Sequence, residues 1–303
     1  MKGTIISGKE LSEKILQDLQ TKIGYDMCTL HHRAPKLVVI TIGEDPASKV
    51  YVRNKERACE KTGIIFENIR FTAEDSYTSI AMRLLNVIQS DDVDGVIIQL
   101  PIVSITLTDV EKQKICGLVP DCLDVDGFGQ YSKLAVYEGC KDEDAFYPCT
   151  PAGIMKLLDE TAERQRSIKS DFSYTGLNAL VIGRSDIVGK PVANMLMAQN
   201  MTVTIAHSRT PIGELRRLVE QADVIVSAVG KELPVATMHT NAFVIVDVGM
   251  NRNKDGKLCG DLTEEWKADN SMYYTPVPGG VGPMTVCMLM NNVYKSYVNN
   301  LRS

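Results

Sequence analysis

No block of basic residues occurs in this 303-residue chain, whose 33 Lys and Arg are outnumbered by 38 Asp and Glu for a net charge of −5. A mildly acidic chain without a basic patch is unsuited to wrapping nucleic acid or lying on an anionic membrane, so any anion it binds must be gripped locally. No stretch reads as a membrane span. The longest run without a charge, Asn270 to Tyr294, is broken by three Pro, three Gly and the pair Asn291-Asn292, which is not the composition of a transmembrane helix. The opening Met1-Lys2-Gly3-Thr4-Ile5-Ile6-Ser7-Gly8 lacks the apolar core of a secretory signal. The eight Cys form no CxxC pair, which favours reduced thiols over a disulfide framework and points to a cytoplasmic protein. There is also no internal repeat and no low-complexity tract.

The remaining composition, 44% apolar and 23% charged, is that of an ordinary globular protein, and the length suggests two domains. Leu11, Ile15, Leu19 and Ile23 recur every four residues and predict a helix with one apolar face. The runs Lys36 to Ile42, Ile64 to Phe71 and Val96 to Leu100 read as strands. Ala47 to Thr62 and Ser79 to Gln89 read as the helices between them. Strands alternating with helices imply parallel βαβ units, whose ligands gather at the carboxyl ends of the strands. Gly43 and Gln99 fall at such ends. A polar stretch from Gly139 to Pro151 marks a domain boundary, and Glu163 to Asp171 reads as a surface loop. A second series follows, with strands at Asn178 to Ile182, Thr202 to Ala206, Val224 to Ser227 and Val244 to Asp247. Its helices are Gly189 to Asn200 and Ile212 to Gln221. Pro276 to Pro283 reads as a stiff loop, and Met284 to Leu301 as the last helix.

The strand Ala179-Leu180-Val181-Ile182 is followed by Gly183-Arg184-Ser185-Asp186-Ile187-Val188-Gly189. One glycine ends a strand and another opens a helix, as in a pyrophosphate-binding turn. The spacing Gly-x5-Gly departs from GxGxxG, and a plain strand-to-helix turn fits the bare pattern equally well. The next strand ends at His207-Ser208-Arg209-Thr210, where an NAD enzyme usually places Asp or Glu to hold the ribose hydroxyls. A carboxylate there would repel a 2′-phosphate. Ser208, Arg209 and Arg184 could instead make charge-assisted bonds to a phosphate dianion, which favours NADP over NAD. The bland alternatives are a solvated Arg209 and a packed His207. Ala228-Val229-Gly230 and Val248-Gly249 end two further strands with small residues that would let a nicotinamide approach the backbone.

In the first half, Tyr51 and Lys55 stand four apart and share one helix face. Short-chain dehydrogenases also carry YxxxK, but their glycine loop precedes it, whereas here it lies downstream in the other expected domain. Asp45 or Ser48 is positioned to cap this helix. Gln99 ends an apolar run, and Asp124-Val125-Asp126-Gly127 is at least an Asp-Gly turn.

With these residues in view, the sequence resembles the bifunctional methylenetetrahydrofolate dehydrogenase/cyclohydrolases over nearly its whole length. The most specific stretches are Asp45-Pro46-Ala47-Ser48-Lys49-Val50-Tyr51-Val52-Arg53-Asn54-Lys55 and Thr275-Pro276-Val277-Pro278-Gly279-Gly280-Val281-Gly282-Pro283-Met284-Thr285. Between them lie Gln99-Leu100-Pro101, Asp124-Val125-Asp126-Gly127, Pro148-Cys149-Thr150-Pro151 and the Gly183 turn. The resemblance implies an α/β chain of two domains. Residues 1–149 plus 281–303 would form a folate-binding catalytic domain. Residues 150–280 would form a Rossmann-like, doubly wound NADP domain, with the last helix returning to the first domain. It implies oxidation of 5,10-methylenetetrahydrofolate by NADP, then hydrolysis of the methenyl cation to 10-formyltetrahydrofolate, in one-carbon metabolism that feeds purine biosynthesis. By the same resemblance Lys55 assists hydrolysis, Gln99 orients it, Tyr51 stacks on the folate and Asp126 binds the pterin. Leu100 and the loop Pro278, Gly279, Gly280 and Val281 complete the folate contacts. Gly183, Arg184, Ser185, Val188, Gly189, His207, Ser208, Arg209, Ala228, Val229, Gly230, Gly249 and Thr285 hold NADP. No metal is implied, and family members pair as homodimers through the second domain.

The chemistry suits these residue types. Adding water to a cation requires proton removal, and ring opening requires proton delivery; one group titrating near neutrality can do both. For a lysine this demands about 4–5 kcal/mol of destabilisation of its charged form. A neutral Gln beside it adds no countercharge, whereas an Asp would oppose that tuning. Two positions depart from the family pattern: Leu123 stands where a Lys often precedes the aspartate motif, and Val103 where a second Pro often follows Gln-Leu-Pro. Two other readings compete. A different two-domain NADP dehydrogenase with a catalytic lysine, resembling shikimate dehydrogenase, explains the architecture but not the Pro-Gly-Gly-Val-Gly-Pro loop. A non-catalytic NADP-binding protein would make Lys55, Gln99 and Asp126 dispensable.

Overall fold

The computed structural model describes residues 2–139, 145–234 and 238–302. In chain order they form β1 (Thr4–Ile5), α1 (Gly8–Thr29), β2 (Lys36–Ile42), α2 (Pro46–Thr62), β3 (Ile65–Phe71), α3 (Tyr77–Ile88) and β4 (Gly95–Ile98). Then come α4 (Asp109–Cys116), α5 (Gln130–Glu138), α6 (Cys149–Arg166), β5 (Asn178–Ile182), α7 (Gly189–Met197), β6 (Thr202–Ala206) and α8 (Ile212–Gln221). The chain ends with β7 (Val224–Ser227), β8 (Ala242–Asp247), β9 (Asn251–Arg252), β10 (Leu258–Cys259), α9 (Glu264–Asn270), β11 (Ser271–Tyr274) and α10 (Val281–Arg302).

Two compact units result. One is built mainly from Glu13–Leu134 and Val286–Ser303, the other mainly from Met1–Ser12 and Pro148–Thr285. The later turns of α10 therefore belong to the unit of β2, β3 and β4. In that unit the parallel sheet has the order β3-β2-β4. The chain crosses from β3 back over β2 to reach β4, so the strand order reverses between β2 and β4. Their carboxyl ends open a switch-point crevice, the usual ligand site of such sheets. Val38, Ile40, Val96, Ile80 and Leu84 pack the core beneath it.

The second unit holds a six-stranded sheet, β1-β11-β8-β7-β5-β6, parallel throughout. Here the order reverses between β5 and β7. Its core joins Leu180, Ile225 and Ile245 to Leu215 and Val219 of α8 and to Trp266 of α9. Among the described residues, no helix is long and apolar enough to cross a membrane.

The structure corrects the sequence reading in several places. Thr4–Ile5 pair with β11, so the first residues join the six-stranded sheet rather than folding with 1–149. Glu163 to Arg166, expected in a loop, continue α6, because Ile154, Leu157, Leu158 and Ala162 form a buried stripe at helical spacing. Cys149 to Pro151, expected in a boundary, already open that helix, where proline costs no hydrogen bond; residues 140–144 of the expected boundary lie outside the described residues. Val281 to Pro283, expected in the loop, form the first turn of α10. The helices α4 and α5 and the strand β11 were not foreseen.

Candidate active site

Helix α2 begins where β2 ends. Asp45 is its N-cap and accepts a hydrogen bond from the Ser48 amide at 2.7 Å, Pro46 occupies the first turn, and Gly63 in the left-handed region closes the other end. Val52, Ala58 and Cys59 bury one face of the helix. Burying a side chain the size of Val52 contributes about 1.5–2 kcal/mol, which fixes the rotation of the helix. Lys55 shares that face and is only half-buried. Its Nζ donates to Gln99 Oε1 at 2.9 Å, and Gln99 Nε2 donates to the Leu100 carbonyl at 2.8 Å. These two contacts fix which way the Gln99 amide points. Ser48, buried, donates to the same Leu100 carbonyl at 3.2 Å. Asp45, not Ser48, is thus the cap, and Ser48 instead ties the start of α2 to the loop after β4. Gly43 is required beside it. Its φ is +71°, and a Cβ there would lie 2.0 Å from the Val103 carbonyl oxygen.

Tyr51 and Leu100, sequence neighbours of Lys55 and Gln99, are partly exposed, and the partial loss of water around the Tyr51 hydroxyl raises its pKa. Asp126 is half-buried in a turn closed by the Gly127 amide donating to the Asp124 carbonyl at 3.0 Å. Asn292 of α10 holds that turn by donating to the Val125 carbonyl at 2.9 Å. Asp124 is more than an ordinary turn residue. Its carboxylate is buried and accepts from the Gly129 amide, and its pKa is pushed up to about 6, chiefly by burial and further by the nearby charge of Asp126. The expected catalytic and pterin-facing residues of the first half therefore all lie in one unit, with Lys55 and Gln99 in direct contact.

In the second unit, Gly183 and Gly189 form the turn between β5 and α7. Gly183 has φ +128°, and a Cβ there would meet the Ala228 carbonyl oxygen at 2.3 Å; one on Gly189 would meet the Gly183 carbonyl oxygen at 2.4 Å. Ser185 Oγ accepts from the Val188 and Gly189 amides at 3.2 and 3.3 Å. The turn is a cradle that a Cβ would fill, at the switch point between β5 and β7, and it suits a close-lying phosphate. Arg184, Ser208 and Arg209 are exposed beside it. Among the described residues neither Arg184 nor Arg209 is committed to an ion pair. His207 Nδ1 accepts the Arg209 amide at 3.2 Å and its own amide donates to Thr210 Oγ1, so His207 shapes the loop that carries Arg209. The residue set fits a 2′-phosphorylated dinucleotide.

The remaining cofactor candidates divide. Gly230 has φ +73° with open space where a Cβ would stand, whereas Gly249 is packed against Asp261, whose amide would lie 2.3 Å from such a Cβ. The Val229 amide is already bonded, donating to Asp261 Oδ2 at 2.7 Å. Thr285 Oγ1 lies 3.0 Å from Thr150 Oγ1. In the proline-glycine loop, Pro278 is exposed and Gly279 has φ +103°, while Gly280 and Val281 are buried. The Gly279 carbonyl accepts from the Lys9 amide at 2.9 Å.

A lysine and a glutamine bonded at one parallel switch point, and a phosphate-type glycine cradle at another, define a two-unit α/β enzyme dependent on a dinucleotide. Residues 6–126 match the tetrahydrofolate dehydrogenase/cyclohydrolase catalytic domain, and residues 148–301 match its NAD(P)-binding domain. The chain is 40% identical to the bifunctional protein FolD of Magnetococcus marinus over 95% of each chain. The solved structure of the bifunctional FolD methylenetetrahydrofolate dehydrogenase/cyclohydrolase of Campylobacter jejuni superposes with a TM-score of 0.86 at 34% identity, covering 98% of this chain and 99% of that one. The FolD of Trypanosoma brucei, solved with NADP and an inhibitor, gives 0.88 at 25% identity over the full length of both chains. The chain belongs to the tetrahydrofolate dehydrogenase/cyclohydrolase family.

Proposed function

We propose that this protein oxidises 5,10-methylenetetrahydrofolate to the 5,10-methenyl cation with NADP and then hydrolyses the cation to 10-formyltetrahydrofolate. The observation that carries the assignment of roles is the 2.9 Å contact from Lys55 Nζ to Gln99 Oε1 at the β2/β4 switch point. When bound, NADP supplies the hydride acceptor. The chain's own residues position the folate, exclude water during the first step and move a proton in the second. Tyr51 lies against the folate ring system, Asp126 accepts hydrogen bonds from the pterin, and Leu100 adds an apolar contact. The exposed Pro278 and the half-buried Gly279 lead the loop that faces the folate. Lys55 takes a proton from the attacking water and returns it as the ring opens, while Gln99 holds the amine in place without adding a charge. Gly183, Ser185 and Gly189 receive the pyrophosphate, and Arg184, Ser208 and Arg209 receive the 2′-phosphate.

Mixing the protein with 5,10-methylenetetrahydrofolate and either NADP or NAD, and following methenyl absorbance, tests this reading. NADP should be preferred, and Arg209→Ala should raise KM for NADP by about 10–100-fold, the worth of one charge-assisted bond, with little change for NAD. No methenyl product with either nucleotide would remove the assignment.

The reading includes a reduced, cytoplasmic setting, in keeping with the free thiols of the described cysteines. It also pairs two copies through the second unit, where β6 is an edge of the sheet and Ile205 is exposed. Sedimentation is expected to give a dimer, and a monomer alone at micromolar concentration would overturn that part.

A further inference from the structure

Behind the proline-glycine loop lies a buried ammonium group that the reaction does not use. Lys267 of α9 is fully buried, and its Nζ donates to three acceptors from three elements. These are Asp247 Oδ2 at the end of β8 at 3.3 Å, Glu264 Oε1 in the first turn of α9 at 2.7 Å, and the Thr275 carbonyl just past β11 at 2.9 Å. All three N–H donors of the amine are thereby used. The same Glu264 Oε1 also accepts the amide of Val277 at 3.0 Å. Val277 is the residue directly before Pro278. The chain leaving β11 is thus held on both sides of Pro276, by Lys267 at Thr275 and by Glu264 at Val277.

We propose that Glu264, held by Lys267, is a positioning residue that sets the path of the Pro278–Val281 loop toward the folate. This rests on the reading of that loop as folate-facing. A long side chain is ordinarily free to wander, and its entropy works against holding a backbone amide in place. Here the carboxylate is pinned by a buried ammonium that is itself held by Asp247, so the acceptor is fixed before substrate arrives. Preorganisation of this kind lowers the cost of binding and leaves the chemical step alone.

Glu264 is partly exposed, so its substitution leaves the core packed. Glu264→Ala should raise KM for the folate substrate about tenfold in both the dehydrogenase and the cyclohydrolase assay, with kcat and the KM for NADP within about twofold of the parent, as expected for lost ground-state binding. Glu264→Gln keeps an oxygen that can accept from both Val277 and Lys267, and should restore the folate KM to near the parent value. An unchanged folate KM in Glu264→Ala, or a loss shared equally by folate and NADP, overturns the proposal. A fall in Tm with no KM change does so as well. Gly279→Ala, which strains the loop itself at φ +103°, separates the two levels. If it raises the folate KM while Glu264→Ala does not, the tether fails and the loop reading stands. If neither moves it, the loop does not face the folate and both fail.

Discussion

Lys55→Ala is expected to lower cyclohydrolase kcat by about 10²–10⁴-fold, the usual contribution of a positioned general acid–base group. Dehydrogenase activity should fall by much less, because hydride transfer needs alignment of two carbons and no proton carrier. The geometry explains why the loss should be selective. Lys55 meets Gln99 through one hydrogen bond at the open end of the sheet, and Val52, Ala58 and Cys59 hold α2 in place without it. On the proposed reading, removing the amine deletes the proton carrier and leaves the scaffold standing. Parallel assays of both reactions on the purified variant check this. Equal, modest losses in the two activities would mean that Lys55 helps to bind the folate and that another group moves the proton.

Gly183→Ala should be among the most damaging single-methyl changes in the molecule. The added Cβ would sit 2.3 Å from the Ala228 carbonyl oxygen with the backbone at φ +128°. Strain at a glycine-only conformation costs about 1–3 kcal/mol and forced overpacking about 1–3 more, so roughly 2–6 kcal/mol of stability should be lost. Because β5 and β7 meet at this point, relief of the clash must spread the switch point, and NADP affinity should fall with Tm. Gly230→Ala provides the contrast. Its φ is +73° but the space around it is open, so the cost should be the left-handed penalty alone, about 1–2 kcal/mol. Thermal melts with and without NADP separate the two; a Gly183→Ala protein that melts and binds like the parent would show that the cradle is not a tight one.

The strands were legible in the sequence for a plain reason. A parallel strand covered on both faces is a continuous run of Val, Ile and Leu. Lys36–Ile42, Asn178–Ile182 and Val224–Ser227 consequently match the expected bounds to the residue; the edge strand Thr202–Ala206, mostly exposed, matches through its β-branched residues, and the helix Ile212–Gln221 matches as well. Helix α6 escaped because its first turn carries Pro151 and follows Pro148, which read as boundary residues while a buried stripe lay further along. Strand β11, Ser271–Tyr274, carries only Met272, Tyr273 and Tyr274 as apolar residues, too short a run to stand out. At the site, local patterns single out Lys55 and Gln99, whereas Asp126 is singled out only by the family resemblance. Asp124 reads locally as no more than a turn residue, since nothing nearby in the sequence says that its carboxylate is buried against Gly129. Asp247, Asp261 and Lys267 were missed altogether. A charged residue at the end of an apolar strand, as Asp247 is, was the one available signal.

The sequence by itself determined the alternation of strands and helices, the glycine turn with its arginines, and the family motifs that carry Tyr51, Lys55 and the proline-glycine loop. Each of these is written in residues a few positions apart, where periodicity and turn chemistry act. Only the tertiary structure decided that Lys55 reaches Gln99, that Thr4–Ile5 extend the six-stranded sheet, and that one buried amine ties Asp247, Glu264 and Thr275 together. Those contacts join residues far apart in the chain. They exist because buried polar groups must find partners once the sheets close over them, and which partners lie within reach is set by strand order and register.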